Sequence, residues 1–322
     1  MSQQPNRYGP FWLQPDVRAG HMLTLFAGAF STIGLLTFVA LGTPYVLTVY
    51  LGVPQGEQGA VSGYLHTFQE AISLLVFAPL GVMADRIGRR QVYAGGLVLM
   101  GIAYALYSFA SSIPELYAYR LIYAVGIAAA TGMLGTIGAD YTLERSRGLA
   151  VAGIGVLNAL GVISVTIGLG RLPQFFVERG ASEAAAGHDA HFVVAGLCFL
   201  VALLLAFGLK GGTPVARGQR LPVRELFRSG LAEARNPRIA LSYACGFIAR
   251  SDLVLLGTYS VLWGTTAAAS RGMDAAQAMA EGRKVFATAS AAALLWLFVI
   301  GVVIDRVNRV TGIIICMTIA SM

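Results

Sequence analysis

Long apolar runs separated by short charged turns constrain this chain more than any other feature. Eight runs, at about 22–50, 59–84, 92–110, 115–138, 149–170, 191–209, 239–263 and 285–304, lie near the ~20 residues a helix needs to cross a hydrocarbon core. A ninth begins near 310 and reaches Met322 after about 13 residues, so it reads as a span cut short. Charged residues are 12% of the chain, against about 25% in soluble domains. That is too little charge for a polar skin, and a mean hydropathy of +0.68 agrees. A bilayer is the solvent that removes the need for one. The expected fold is therefore an all-α membrane protein.

The net charge of +7 raises the possibility of a nucleic-acid partner. The basic residues are not gathered in one patch or stripe, so that class is excluded. They fall in clusters between spans, as membrane topology predicts. With the N-terminus in the cytoplasm, 16 of the 23 Lys and Arg lie inside, five lie outside, and Arg120 and Arg250 fall within spans. The first 21 residues are polar and carry Pro5, Pro10 and Pro15, with no small-residue cleavage site after a short apolar stretch. The first span is expected to serve as an uncleaved signal. Cys198, Cys245 and Cys316 sit inside apolar runs without metal-ligand spacing and read as buried thiols.

Residues 210–238 carry seven basic and two acidic side chains and divide the chain. The expected organisation is a cytoplasmic segment 1–21, a six-helix bundle 22–209, a basic cytoplasmic linker 210–238, and a partial second bundle 239–322. An internal repeat supports this division. Gly81–Arg90 reads GVMADRIGRR and Gly301–Val310 reads GVVIDRVNRV, 220 residues apart. Each follows the second span of its half, as expected for two parallel six-helix halves with the second incomplete.

At these residues the chain resembles the major facilitator superfamily. The loop between spans two and three of that family resembles G-x-x-x-D-R-x-G-R-[RK], met here by Gly81, Asp85, Arg86, Gly88, Arg89 and Arg90. The second copy keeps Gly301, Asp305, Arg306 and Arg309 but has Asn308 in place of the second glycine. Span four of the family opens with an Arg followed by glycines, matched by Arg120 with Gly126, Gly132 and Gly135, and the following loop matches at Asp140 and Arg147-Gly148. The resemblance implies a major facilitator type bundle of two pseudo-symmetric halves, twelve spans in all, a monomer, and transport of a small-molecule solute. Many proton-coupled exporters of the family carry Gly-Pro in span five, whereas here Val162 follows Gly161.

Asp85 lies at the C-terminal end of span two, where the helix dipole disfavours an anion, so it should meet a cation or a hydrogen-bond donor. Arg86, Arg89 and Arg147 are the candidates. With Asp140, and with Asp305, Arg306 and Arg309 in the second half, these residues are expected to form an ion-pair lock on the cytoplasmic side. Gly81 is expected to allow a close backbone approach.

Charges inside the spans are expected to face protein or a water-filled cavity. Glu70 lies about 22 Å deeper than Asp85, with His66 four residues earlier on the same face. A carboxylate there can carry a coupling proton. Arg120 can hold an anionic solute group or pair with an acid. In span seven, Tyr243 shares a face with Arg250, and Asp252 with Tyr259, which suits a small polar solute. Gly42, Thr43 and Pro44 are expected to bend span one. His188 and His191, in what reads as an outer loop, are too few for a metal site.

The leading expectation is secondary active transport by alternating access, coupled to protons, in a bacterial inner membrane, without cofactor or metal. A facilitative uniporter and a non-transporting receptor of the same fold are the alternatives. No nucleotide-binding G-x-x-x-x-G-K-[ST] sequence occurs. An intramembrane enzyme would need a third ligand or a nucleophile beside His66 and Glu70, and the sequence offers neither.

Overall fold

The structure, a computed structural model, describes residues 6–213 throughout and, between 223 and 318, residues 223–237 and shorter runs. Helices dominate it. They are α1 (Ala19–Tyr45, continued by a π-helical turn Val46–Tyr50), α2 (Gln55–Ile87), α3 (Arg89–Tyr107), α4 (Ile113–Tyr141), α5 (Glu144–Ile167), α6 (Leu172–Glu178), α7 (Glu183–Gly208) and α8 (Val223–Glu233). Two short antiparallel strands, β1 (Asn6–Tyr8) and β2 (Phe11–Leu13), precede them.

Local chemistry sets several boundaries. Pro54 immediately precedes α2 and Pro114 sits in the first turn of α4, where a missing N–H costs nothing. Ser182 caps α7 by accepting the Ala185 N–H at 3.3 Å. The α2–α3 connection is Gly88 alone, at φ 108°, a conformation that glycine adopts without strain. Pro44 does not end α1. The chain runs through it and widens into the π turn, a recognised response to a missing backbone donor.

Five helical segments are long and apolar enough to cross a membrane: Ala19–Tyr50, Gln55–Ile87, Ile113–Tyr141, Glu144–Glu178 and Glu183–Gly208. Between the second and third of these, α3 has 19 residues and opens on Arg89 and Arg90. At 1.5 Å per residue it is about 28 Å long, close to the hydrocarbon thickness. Six long helices thus occupy the stretch in which six spans were expected. The sixth starts earlier than its apolar run indicated, because Ser182 and Glu183 begin the helix well before hydrophobicity rises. His188 and His191 are therefore helical, not in a loop. Most of the seventh to ninth expected spans lie outside the described residues.

α3 packs on α4 and α7, α1 on α5 and α7, and α2 on α4. Two crossings depend on glycine. A Cβ at Gly34 would lie 2.6 Å from the Gly161 carbonyl oxygen, and one at Gly161 would overlap the Phe30 carbonyl oxygen, so α1 and α5 touch backbone to backbone. Gly96 and Gly126 do the same for α3 and α4 at 2.8 Å. Buried tyrosines fasten α1 to its neighbours: Tyr104 and Tyr123 donate to the Leu35 and Leu36 carbonyls at 2.6 and 2.7 Å, and Tyr93 bonds to Thr32. In the most apolar window α4 is 61% buried, against 22% for α2 and for Glu144–Glu178, so α4 is central and α2 and α5 are peripheral. Large apolar side chains such as Leu75 and Leu200 point outward, as bilayer contact requires.

Residues 6–18, before α1, pack against the bundle. Leu13 and Val17 are fully buried, and Leu13 bridges to Thr142. Asp16 pairs with Lys210, just beyond α7, and that hydrogen bond holds the Asp16 carboxyl below its ordinary 3.8.

Gly161→Ala should lower stability by about 1–3 kcal/mol, because a new methyl group would meet backbone and not a yielding side chain. Thermal unfolding in detergent reads this directly. The Asp16–Lys210 pair is half-exposed and worth at most about 1 kcal/mol. Its contribution is complete above pH 3.8, the unfolded-state value, and disappears as pH falls through the lower folded-state value. Asp16→Asn should be less stable than the parent at pH 7 and indistinguishable from it in strong acid, by the same measurement.

Candidate functional site

The tight turn at Gly88 brings two helix ends and their charges together. Asp85 sits in the last turn of α2, and Arg89 is the first residue of α3. Arg89 Nη2 lies 3.9 Å from Asp85 Oδ1, and Arg89 Nη1 makes an ion pair with Asp140, in the last turn of α4. All three charges occupy the helix end that the dipole disfavours: two carboxylates at C-termini and a guanidinium at an N-terminus. Their mutual attraction offsets that penalty. The side chains are 22–43% exposed, so the cluster is screened and modest in strength while water reaches it.

Of the three cations proposed for Asp85, Arg89 is the one found beside it. Arg147 instead pairs with Glu144 at 2.5 Å on its own helix, because α5 has already begun at Glu144. Arg86 is exposed in the last turn of α2. Arg90 Nη1 donates to the Leu209 carbonyl at 3.4 Å, tying α3 to the end of α7. A Cβ on Gly88 would lie 2.8 Å from the Gly212 carbonyl oxygen, so glycine is needed there for space as well as for φ. Among the described residues nothing comes within 4 Å of a Cβ built on Gly81, and the close approach expected of it is not found among them.

A second polar cluster lies within the bundle. α2 and α4 are registered by Ser73 Oγ, which donates to the Ala124 carbonyl at 3.4 Å. One turn earlier on each helix stand Gln69 and Arg120, which therefore share a level. His66, Gln69, Glu70 and Ser73 follow the i, i+3, i+4, i+7 spacing of a single helix face. Arg120 is fully buried, the bulkiest side chain among the described residues of which this is true. Its Nη2 donates to Thr43 Oγ1 at 3.3 Å, and the guanidinium lies 5.7 and 5.8 Å from the Tyr107 and Tyr123 ring centroids. Arg120 Nε and Nη1, Gln69 Oε1 and His66 Nδ1 are buried and have no hydrogen-bond partner among the described residues. Gln69 Nε2 donates to Glu70 Oε1 at 3.2 Å, and His66 feels the charges of both Arg120 and Glu70. Donors and acceptors on two facing helices can thus engage a polar or anionic group, with a carboxylate one residue away.

The structure adds residues that sequence reasoning missed. Gln69 had a visible signal, as an amide inside an apolar run beside Glu70. Thr43, Tyr107 and Tyr123 had none, because a tyrosine turned to a buried guanidinium and one turned to lipid have the same spacing. His191 is 2% exposed, bonds through Nδ1 to the Gly187 carbonyl at 2.8 Å, and stacks on Tyr107. Among the described residues no group of His, Cys, Asp and Glu could hold a metal ion. Tyr243, Arg250, Asp252, Tyr259, Asp305, Arg306 and Arg309 lie outside the described residues.

Comparisons with known proteins follow the same outline. The family model described as Major Facilitator Superfamily matches residues 24–322. Magnetosome protein MamH of Paramagnetospirillum magneticum is 26% identical over 246 residues, 71% of this chain and 52% of that protein. The class E tetracycline resistance protein of Escherichia coli is 38% identical over 138 residues, 42% of this chain and 32% of that one. The chain spans about half, or less, of the length of the curated relatives it matches. Among solved structures, the proton:xylose symporter XylE superposes with a TM-score of 0.58 at 15% identity, over 91% of this chain and 71% of its own. The E. coli fucose:proton symporter FucP gives 0.58 at 14%, over 91% and 73%. At these identities the likeness is one of fold.

Arg120→Met removes a buried charge that forms no ion pair among the described residues. It should leave the unfolding temperature unchanged or raise it, while transport falls about tenfold or more, the loss of one charged hydrogen bond. Thermal unfolding and flux measured on one preparation separate the two effects. A matched fall in both would make Arg120 structural.

Proposed function

This chain belongs to the Major Facilitator Superfamily, and from that premise we propose that it moves a small organic solute across a bacterial inner membrane by proton-coupled alternating access. The observation that carries the reading is Arg120: fully buried, with two nitrogens lacking partners among the described residues, level with Gln69 and within electrostatic reach of His66. A buried charge in a membrane helix is costly, and a transport pathway is where that cost has a use. In this reading Arg120 engages the polar or anionic part of the solute and Glu70 carries the proton, with Gln69 holding the carboxylate. Tyr243, Arg250, Asp252 and Tyr259 would supply the facing wall from the second half.

The Arg89 cluster would be the cytoplasmic lock. Closed and dry, the pairs to Asp85 and Asp140 strengthen; opened and wet, they weaken, so the cluster biases one state over the other. Asp305, Arg306 and Arg309 would form its counterpart in the second half. This assignment places the Gly88 end of the bundle, and the N-terminus, in the cytoplasm, where the basic residues are concentrated. Relatives include a tetracycline resistance protein and a Streptococcus pneumoniae multi-drug resistance efflux pump, while the two symporters share the fold. The solute class and direction are therefore kept at the level of a small organic molecule.

Proteoliposomes enclosing a pH-sensitive dye test the coupling. Sugars, organic acids and cationic drugs are added in turn, and solute uptake and internal pH are followed together. Solute of one class should move with protons. Glu70→Gln should abolish accumulation driven by a pH gradient while leaving solute exchange at equilibrium. Uptake that proceeds with no proton movement would make the protein a facilitative uniporter and end the coupled reading.

A further inference from the structure

Residues 6–17 form a strap across the bundle end that holds the Arg89 ion pairs. Trp12 N–H donates to Ser146 Oγ, and Ser146 Oγ–H donates to the Trp12 carbonyl, both at 3.0 Å. The Leu143 N–H donates to the same carbonyl at 2.9 Å, and the Gln14 N–H donates to the Tyr141 carbonyl at 3.0 Å. The Arg145 guanidinium lies 3.3 Å from the Trp12 ring centroid. Every one of these contacts grips residues 141–146, which begin immediately after Asp140.

The far end of the strap is fixed as well. Asn6 Nδ2 donates to the Pro15 and Val17 carbonyls at 2.9 Å, closing the segment on itself. Asp16 pairs with Lys210, whose backbone N–H donates to the Tyr141 hydroxyl at 2.8 Å. The last carbonyls of a helix have no partner within it, and its final turn frays unless something else bonds them. At the end of α4, Thr142 Oγ1 donates to the Gly138 carbonyl at 2.9 Å and the strap takes the Tyr141 carbonyl. Asp140 stands between these two anchored positions.

We propose that this N-terminal hairpin is a positioning element: by fixing the last turn of α4 and the α4–α5 turn, it holds Asp140 where Arg89 can reach it, and so favours the closed cytoplasmic lock. The inference rests on the reading of the Arg89 cluster as a lock. A segment that only anchored the N-terminus would have no effect on the α2–α3 turn, which it does not span.

Hydrogen exchange of residues 85–91, measured on the full-length protein in lipid nanodiscs, tests this with Ser146→Ala and Trp12→Ala, each in the parent and in an Asp140→Asn background. Ser146→Ala deletes two hydrogen bonds without opening a large cavity, so it serves if Trp12→Ala does not fold. In the parent background each variant should raise exchange at 85–91 roughly threefold to tenfold, with no further rise once Asp140 is Asn, because the effect travels through that carboxylate. Unchanged exchange, or an equal rise in both backgrounds, would overturn the strap's role while leaving the lock standing. If Asp140→Asn by itself leaves exchange and flux as in the parent, the lock fails and the strap's role in it fails too.

Discussion

Hydrocarbon offers a polar group no partner, and the arrangement of this bundle follows from that. Backbone groups are satisfied within long helices, so the helices must span the layer. Attraction between them cannot come from escaping water, because the lipid is as apolar as the side chains. Close contact takes its place. Gly34 meets Gly161 and Gly96 meets Gly126, bringing backbones together. Tyrosine hydroxyls from α3 and α4 then bond to carbonyls of α1. The same constraint makes Arg120 informative: a guanidinium sealed inside such a bundle must be held by protein or used by what passes through.

The water-facing end of the bundle obeys different rules. Charges there are cheap and individually weak, so geometry decides what they do. The single-residue turn at Gly88 sets Asp85 and Arg89 on adjoining helix ends, and α4 ends close enough to add Asp140. Each charge is badly placed for its own helix dipole and well placed for its neighbours. The N-terminal hairpin completes this end by supplying hydrogen bonds that the α4–α5 turn cannot make for itself.

Much of this was legible in the chain, and the reason differs from element to element. Arg89 and Asp85 could be assigned to one short turn because the apolar runs stop near 84 and resume near 92; that Gly88 alone joins the two helices could not be read there. That Arg89 would also reach Asp140, while Arg147 turned to Glu144, could not be read either, because it depends on where α4 ends and α5 begins. Glu70 and Arg120 were visible as charges in apolar runs. Gln69 at their level was not singled out, since depth matching needs the register between α2 and α4, which Ser73 and Ala124 fix. His188 and His191 read as loop residues because α7 starts in a polar stretch, and hydropathy does not register a helix start made by a serine cap.

The amino-acid sequence determined the spans, the charged turns between them and the repeat that implies two halves, because each depends on composition over a short stretch of chain. Tertiary structure alone decided which glycines touch, which tyrosines face Arg120, which acid Arg89 reaches, and that residues 12–14 bind back onto the α4–α5 turn. Those are contacts between residues up to 134 positions apart. Pattern along the chain fixes a helix's faces but not which neighbour each face meets, and that choice comes from how the whole set of helices packs.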